Sequence, residues 1–119
     1  MKRLFLLMLF SSVVSAHGHS PQRFDKYVMD AKFELKFEVM NGFDKNTCFD
    51  IEVDGEIKPE MRKCLPSQGR RKMSVWLDSP ADVQTRHFVC SIADIPGMKT
   101  RMCTDTLTLF PAERLGLSE

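Results

Sequence analysis

Past its first sixteen residues the chain has no apolar run long enough to cross a bilayer, so no membrane span is expected in the part that follows. It also has no Cys-x-x-Cys pair, no glycine-rich loop after a strand and no Asn-x-Ser/Thr acceptor. Those absences argue against zinc or thiol-redox chemistry, phosphate cradling and N-glycosylation. An excess of one charge is missing too. Lys and Arg number 17 against 16 Asp and Glu, so neither nucleic acid nor an anionic membrane surface is expected as a partner. Ser67, Ser74, Ser79 and Ser91 have no recognisable base and orienting carboxylate, and His87 stands alone between Arg86 and Phe88. No enzyme is expected.

What is present begins at the N-terminus. Lys2 and Arg3 precede an apolar stretch over 4–10, and Val14-Ser15-Ala16 supplies small residues before a cut. This three-part pattern predicts a secretory signal over 1–16, leaving about 103 residues in a compartment where thiols oxidise. The protein is expected to be periplasmic or secreted. The division predicted for the rest is a flexible tail at 17–23, one sandwich domain at 24–111 and a C-terminal tail at 112–119.

Strict alternation marks the strands. Phe33, Leu35, Phe37 and Val39 point one way, and Glu34, Lys36 and Glu38 the other. Phe49, Ile51 and Val53 repeat the pattern before Asp54-Gly55, a two-residue hairpin signal. Met73, Val75 and Leu77 alternate again, as do Phe88, Cys90 and Ile92 before Pro96-Gly97. The last strand runs over about 101–110 with Leu107 and Leu109 on one side, and a weaker one is expected at 27–29. The fold class is all-β: an immunoglobulin-like sandwich of about seven strands. Four cysteines allow three pairings. Cys90 and Cys103 are symmetric about Pro96-Gly97, which leaves Cys48 with Cys64 around the Asp54-Gly55 turn. Cys48 shares the parity of Asp50 and Glu52, so its bond is expected on the wet face.

After cleavage the new terminus would read His17-Gly18-His19, whose amine, two amides and imidazole can wrap Cu(II) in a square of nitrogens. Copper binding at His17 and His19 is therefore an alternative function; otherwise no cofactor is expected. The basic loop over 68–72 reads as a solvated turn, with acidic partners the sharper reading. The dispersed methionines read as core filling. Trp76 has the parity of Ser74 and Asp78 and so marks an exposed aromatic on a polar face.

The order of these segments resembles the first immunoglobulin-like domain of periplasmic pilus-assembly chaperones, the chaperone–usher family. Residues 33–41, ending in Asn41, are similar to that family's early strand. Residues 65–69 and 71–77 resemble its turn and next strand, and Arg86-His87-Phe88 through Ile95-Pro96 resembles its most recognisable stretch. Residues 107–111 resemble its last strand and exit. The resemblance implies β-strand addition to a protein partner, a pilin-like or envelope-assembly subunit, with Leu107 and Leu109 as donor positions and Phe110 on the same contact edge. The first strand is a second candidate edge. Thr108 stands where the family has a basic residue that anchors its client's carboxylate, and Arg23 is the candidate partner arginine. The family carries a second domain that these 119 residues do not contain. A purely structural module of an envelope complex is the remaining reading.

Overall fold

The computed structural model describes residues 17–117; the expected signal segment, 1–16, lies outside the described residues, as do the last two. Nine strands follow in order: β1 (His17–Ser20), β2 (Arg23–Tyr27), β3 (Lys32–Asn41), β4 (Thr47–Val53), β5 (Glu56–Ile57), β6 (Lys63–Leu65), β7 (Arg70–Asp78), β8 (Thr85–Ala93) and β9 (Thr100–Leu109). They form two facing sheets, one ordered β1-β3-β7, the other β2-β9-β8-β4-β5 with β6 also on β4. The fold is the expected immunoglobulin-like sandwich.

The alternation of β3 fixes its register. Phe33 lies opposite Leu77, Leu35 opposite Val75 and Phe37 opposite Met73, all inside. Phe49 and Ile51 of β4, Leu65, Val89, Ala93 and Ile95 close over them. Each fully buried large side chain contributes about 1.5–3 kcal/mol relative to exposure. Asp54 (φ 50°) and Gly55 (φ 85°) make the β4–β5 turn, both in the left-handed region that a mirror-image hairpin turn demands. Asn41, fully buried, ends β3. Its Nδ2 donates to the carbonyls of Lys45 (2.9 Å), Leu65 (2.9 Å) and Pro66 (3.2 Å), and its Oδ1 accepts from Phe43 N–H (3.0 Å). One amide thus ties β3 to the two loops beside it. Gly69 completes that corner; a Cβ there would meet the Pro66 carbonyl oxygen at 2.8 Å.

Both disulfides form as read, Cys48–Cys64 and Cys90–Cys103. Each joins directly opposite residues of adjacent strands, β4 with β6 and β8 with β9. Cys48 and Cys64 lie on the outer face.

One expectation is corrected, and in two strands the buried face is not the apolar one. The tail at 17–23 instead holds β1, paired antiparallel with β3 from His17↔Asn41 to Ser20↔Glu38. In β8 the inward residues are Val89, Ser91 and Ala93, while Phe88 is 41% exposed. In β9 the inward residues are Thr104, Thr106 and Thr108, and Leu107 and Leu109 lie half-buried on the outer face. The common cause is the ring pair of His17 and His19, which fills the space behind β8 and β9. Small hydroxyl residues leave room for those rings and give their nitrogens partners; larger apolar residues would do neither.

Candidate functional site

The chain crosses between the sheets at Pro21 and Gln22, so β1 belongs to one sheet and β2 to the other. β2 runs parallel to β9 with Arg23 opposite Asp105, Asp25 opposite Leu107 and Tyr27 opposite Leu109. The outer side of β9 is therefore already paired in the isolated chain, and the rim of this sheet is β2. Asp105 N–H donates to the Gln22 carbonyl and Val28 N–H to the Leu109 carbonyl, both at 3.0 Å. Parallel pairing alternates, so even-numbered residues of β2 turn their peptide groups to β9. Arg23, Asp25 and Tyr27 turn theirs outward.

Leu107 and Leu109, the expected donor residues, sit one strand in from this rim. They share the outer face with Tyr27, which is 71% exposed, and with Phe88. Arg86 lies 3.3 Å from Asp105 on the same face. Phe110, expected on the contact edge, is buried and bridges to Ala81, so it anchors the end of the strand. Thr108 points inward and its hydroxyl is 2.9 Å from that of Ser79. That position offers no cation to a client carboxylate. Arg23 is exposed, opposite Asp105 on the rim. Phe24 stacks on Phe33 at 5.7 Å and so seats β2 on the core.

Behind the rim lies a seam of hydrogen bonds whose direction is fixed at one end. Thr104 Oγ1 is 2.5 Å from the Pro21 carbonyl, which can only accept, so the hydroxyl donates there. It then accepts from His19 Nε2 at 2.8 Å. His19 Nδ1 accepts from Ser91 Oγ (2.8 Å), which accepts from His17 Nε2 (2.8 Å). His17 Nδ1 in turn meets the Thr100 hydroxyl at 2.9 Å. Every bond in this chain is satisfied with both rings neutral. A further proton on His19 Nδ1 would cost the bond it accepts from Ser91, whereas His17 Nδ1 faces Thr100, whose backbone bond favours a proton there. Burial pushes His19 down to about 4, with a smaller push from His17, and burial also lowers His17. His19 stacks on Phe37 at 5.3 Å, and His17 packs against Phe49 at 4.9 Å.

In this arrangement the rings of His17 and His19 are engaged with hydroxyl partners. A square copper site needs their consecutive amides to converge on one point, whereas an extended strand aims them alternately to opposite sides. Among the described residues no group of three or more His, Cys, Asp or Glu is placed to hold a metal ion.

His87 behaves oppositely. Its Nδ1 is 2.5 Å from Asp54 Oδ2 and its Nε2 2.7 Å from the Asp78 carbonyl. Both partners only accept, so both bonds need the imidazolium. Partial burial depresses its pKa, but the bonds to Asp54 and Asp78 outweigh that and raise it overall. His87 joins β8 to the end of β7 and so clasps the two sheets together.

Reading by hydropathy missed β2 as the cover of β9 and missed the seam. The seam had a signal: Thr104, Thr106 and Thr108 alternate as regularly as Leu107 and Leu109, on the opposite parity.

No protein-family model matches the chain, and no curated protein does. Solved structures do. The E. coli chaperone DraB superposes with a TM-score of 0.61 at 13% identity, over 81% of this chain and 55% of that one. The Pseudomonas aeruginosa CupB2 chaperone gives 0.58 at 12% identity, over 82% of this chain and 58% of that one. PapD-like domain 7 of human CEP192 gives 0.57 at 12% identity, over 92% of this chain and 96% of that one. The likeness is one of fold: an immunoglobulin-like sandwich. The chain spans little more than half the length of the chaperones it matches.

Proposed function

We propose that this is an exported, periplasmic protein-binding domain, chaperone-like or an accessory subunit of a pilus-type surface assembly, that receives a partner strand along its β2 rim. The observation that carries the reading is the open side of β2, where Arg23, Asp25 and Tyr27 turn their peptide groups outward. Beside that edge Tyr27, Leu109 and Leu107 form an apolar strip on the outer face. A partner strand gains backbone hydrogen bonds from β2 and side-chain contact from the strip. The fold shared with the periplasmic chaperones DraB and CupB2 supports the same reading, as does the signal-like N-terminus.

Asp25→Pro tests it. The substitution removes an outward N–H while leaving the bonds from β2 to β9 in place, because proline is tolerated on an edge whose N–H faces solvent. Partner proteins retained from the native envelope fraction by the tagged wild type should be lost with Asp25→Pro, and also with Leu107→Lys/Leu109→Lys. Undiminished retention by both variants, each folded by circular dichroism, would remove the β2 rim from the account.

A further inference from the structure

The second sheet has an open side of its own, and two features of the sequence meet there that the β2 rim does not use: the basic run 70–72 and the exposed Trp76. β7 is a nine-residue strand, bonded to β3 on one side and to no strand on the other among the described residues. Asn41 N–H donates to the Gly69 carbonyl (2.9 Å) and Ser79 N–H to the Ala31 carbonyl (2.7 Å) at the two ends of the β3–β7 ladder. Antiparallel alternation therefore turns the peptide groups of Met73, Val75 and Leu77 to β3. Those of Arg70, Lys72, Ser74, Trp76 and Asp78 face the open side. The side chains of these five lie on the outer face, and Trp76 is 65% exposed. Met73 and Val75 point inward but are only half-buried, because the sheet stops beside them.

We propose that the occupant of this edge is the β7 strand of a second copy, running antiparallel about a two-fold axis at Ser74. That register engages all nine residues and makes every outward peptide group meet its counterpart. It sets Arg70 opposite Asp78 of the partner copy, and Lys72 opposite Trp76 of the partner copy. Cross-strand neighbours on one face lie close enough for an ion pair in the first case and an ammonium over an indole in the second. On the inner face Met73 meets Val75 of the partner copy, covering the side chains the free edge leaves half-exposed. By symmetry each pair occurs twice. A parallel pairing, or one centred on Lys72, would instead place the basic run beside itself, and like charges opposite one another are unfavourable. In the single chain Arg70 lies 3.4 Å from Glu38 and Asp78 3.9 Å from Lys32. Both contacts are solvent-exposed surface pairs, weak enough to yield. The two sheets would join into one six-stranded sheet, leaving the β2 rims of both copies open.

Sedimentation equilibrium on the oxidised protein across a wide concentration range tests the proposal. The wild type is expected to reach twice the monomer mass. Ser74→Pro removes an outward N–H that β3 does not use, and should give a monomer. Arg70→Asp should weaken association by at least about tenfold, and Arg70→Asp/Asp78→Arg should restore it by exchanging the paired charges. A wild type that stays monomeric overturns the proposal, as does a dimer indifferent to Arg70→Asp. Failure of the double exchange to restore association overturns the register. Should Ser74→Pro not fold, the charge exchange alone decides. Asp25→Pro should leave the dimer intact, which separates this edge from the β2 rim.

Discussion

Three histidines share this small sandwich, and their hydrogen-bond partners set them to opposite charge states. His17 and His19 are buried in a chain of hydroxyl partners that neutral rings satisfy, whereas His87 lies between two acceptors. The sign of each effect on stability follows. The pKa of His19 falls to about 4 on folding, so below its ordinary value near 6.5 the unfolded chain binds the proton more readily. Stability should decline as pH drops from about 6.5 to about 4, by on the order of 3 kcal/mol from His19. Urea titrations over that range should show the decline, and His19→Phe, which keeps the stack on Phe37, should flatten it. An equal slope in both proteins would contradict the seam. Ser91→Ala, a loss of one oxygen, should cost about 2–4 kcal/mol because two ring nitrogens lose their partner together. The pKa of His87 is raised, so its contribution is complete below about 6.5 and fades as pH climbs through the folded value. His87→Gln should therefore destabilise more at mildly acidic than at alkaline pH; a pH-independent loss would show that its charge is not involved.

At the scale of strands, the disulfides differ in access. Cys64 is exposed and Cys48 half-buried, whereas Cys90 is fully buried. Mild reductant followed by thiol labelling should mark Cys48 and Cys64 before Cys90 and Cys103, since exchange needs an accessible sulfur. Replacing Cys48 and Cys64 together with Ala should cost about 2–4 kcal/mol in a urea titration, mainly by freeing the unfolded chain. The Cys90–Cys103 pairing was legible because symmetric spacing about Pro96-Gly97 carries register, and Cys48–Cys64 followed as the remaining pair. β3, β4 and the Asp54-Gly55 hairpin were legible for a different reason: apolar alternation names the buried face whenever the core is apolar. It does not name the buried face in β8 and β9. There Phe88, Leu107 and Leu109 are more apolar than Ser91, Thr104 and Thr108, yet the interior they border holds two imidazoles. β1 left no pattern to read, being four residues with a glycine between two histidines. β2 left little more, since Arg-Phe-Asp-Lys-Tyr puts one aromatic in and one out among charges. The rim was thus placed one strand too far in: the sequence contains β9 plainly and its cover only faintly.

As a whole the molecule is two layers with an open edge on each. β7 carries alternating charge and apolar residues matched to its own reverse, and β2 lies over β9 beside an exposed tyrosine. The seam of His17, Ser91, His19 and Thr104 stands between them, holding β1 on one sheet and, through Pro21, setting where β2 begins on the other. That arrangement makes the β2 rim available without unfolding, which is what strand addition requires. Residue-resolved hydrogen exchange on the free, oxidised protein tests it most directly. The amides of Arg23, Asp25 and Tyr27 should exchange rapidly while those of Asp105, Leu107 and Leu109 are protected. Slow exchange at the three β2 amides, or rapid exchange along the three of β9, would mean that β2 is not the open rim.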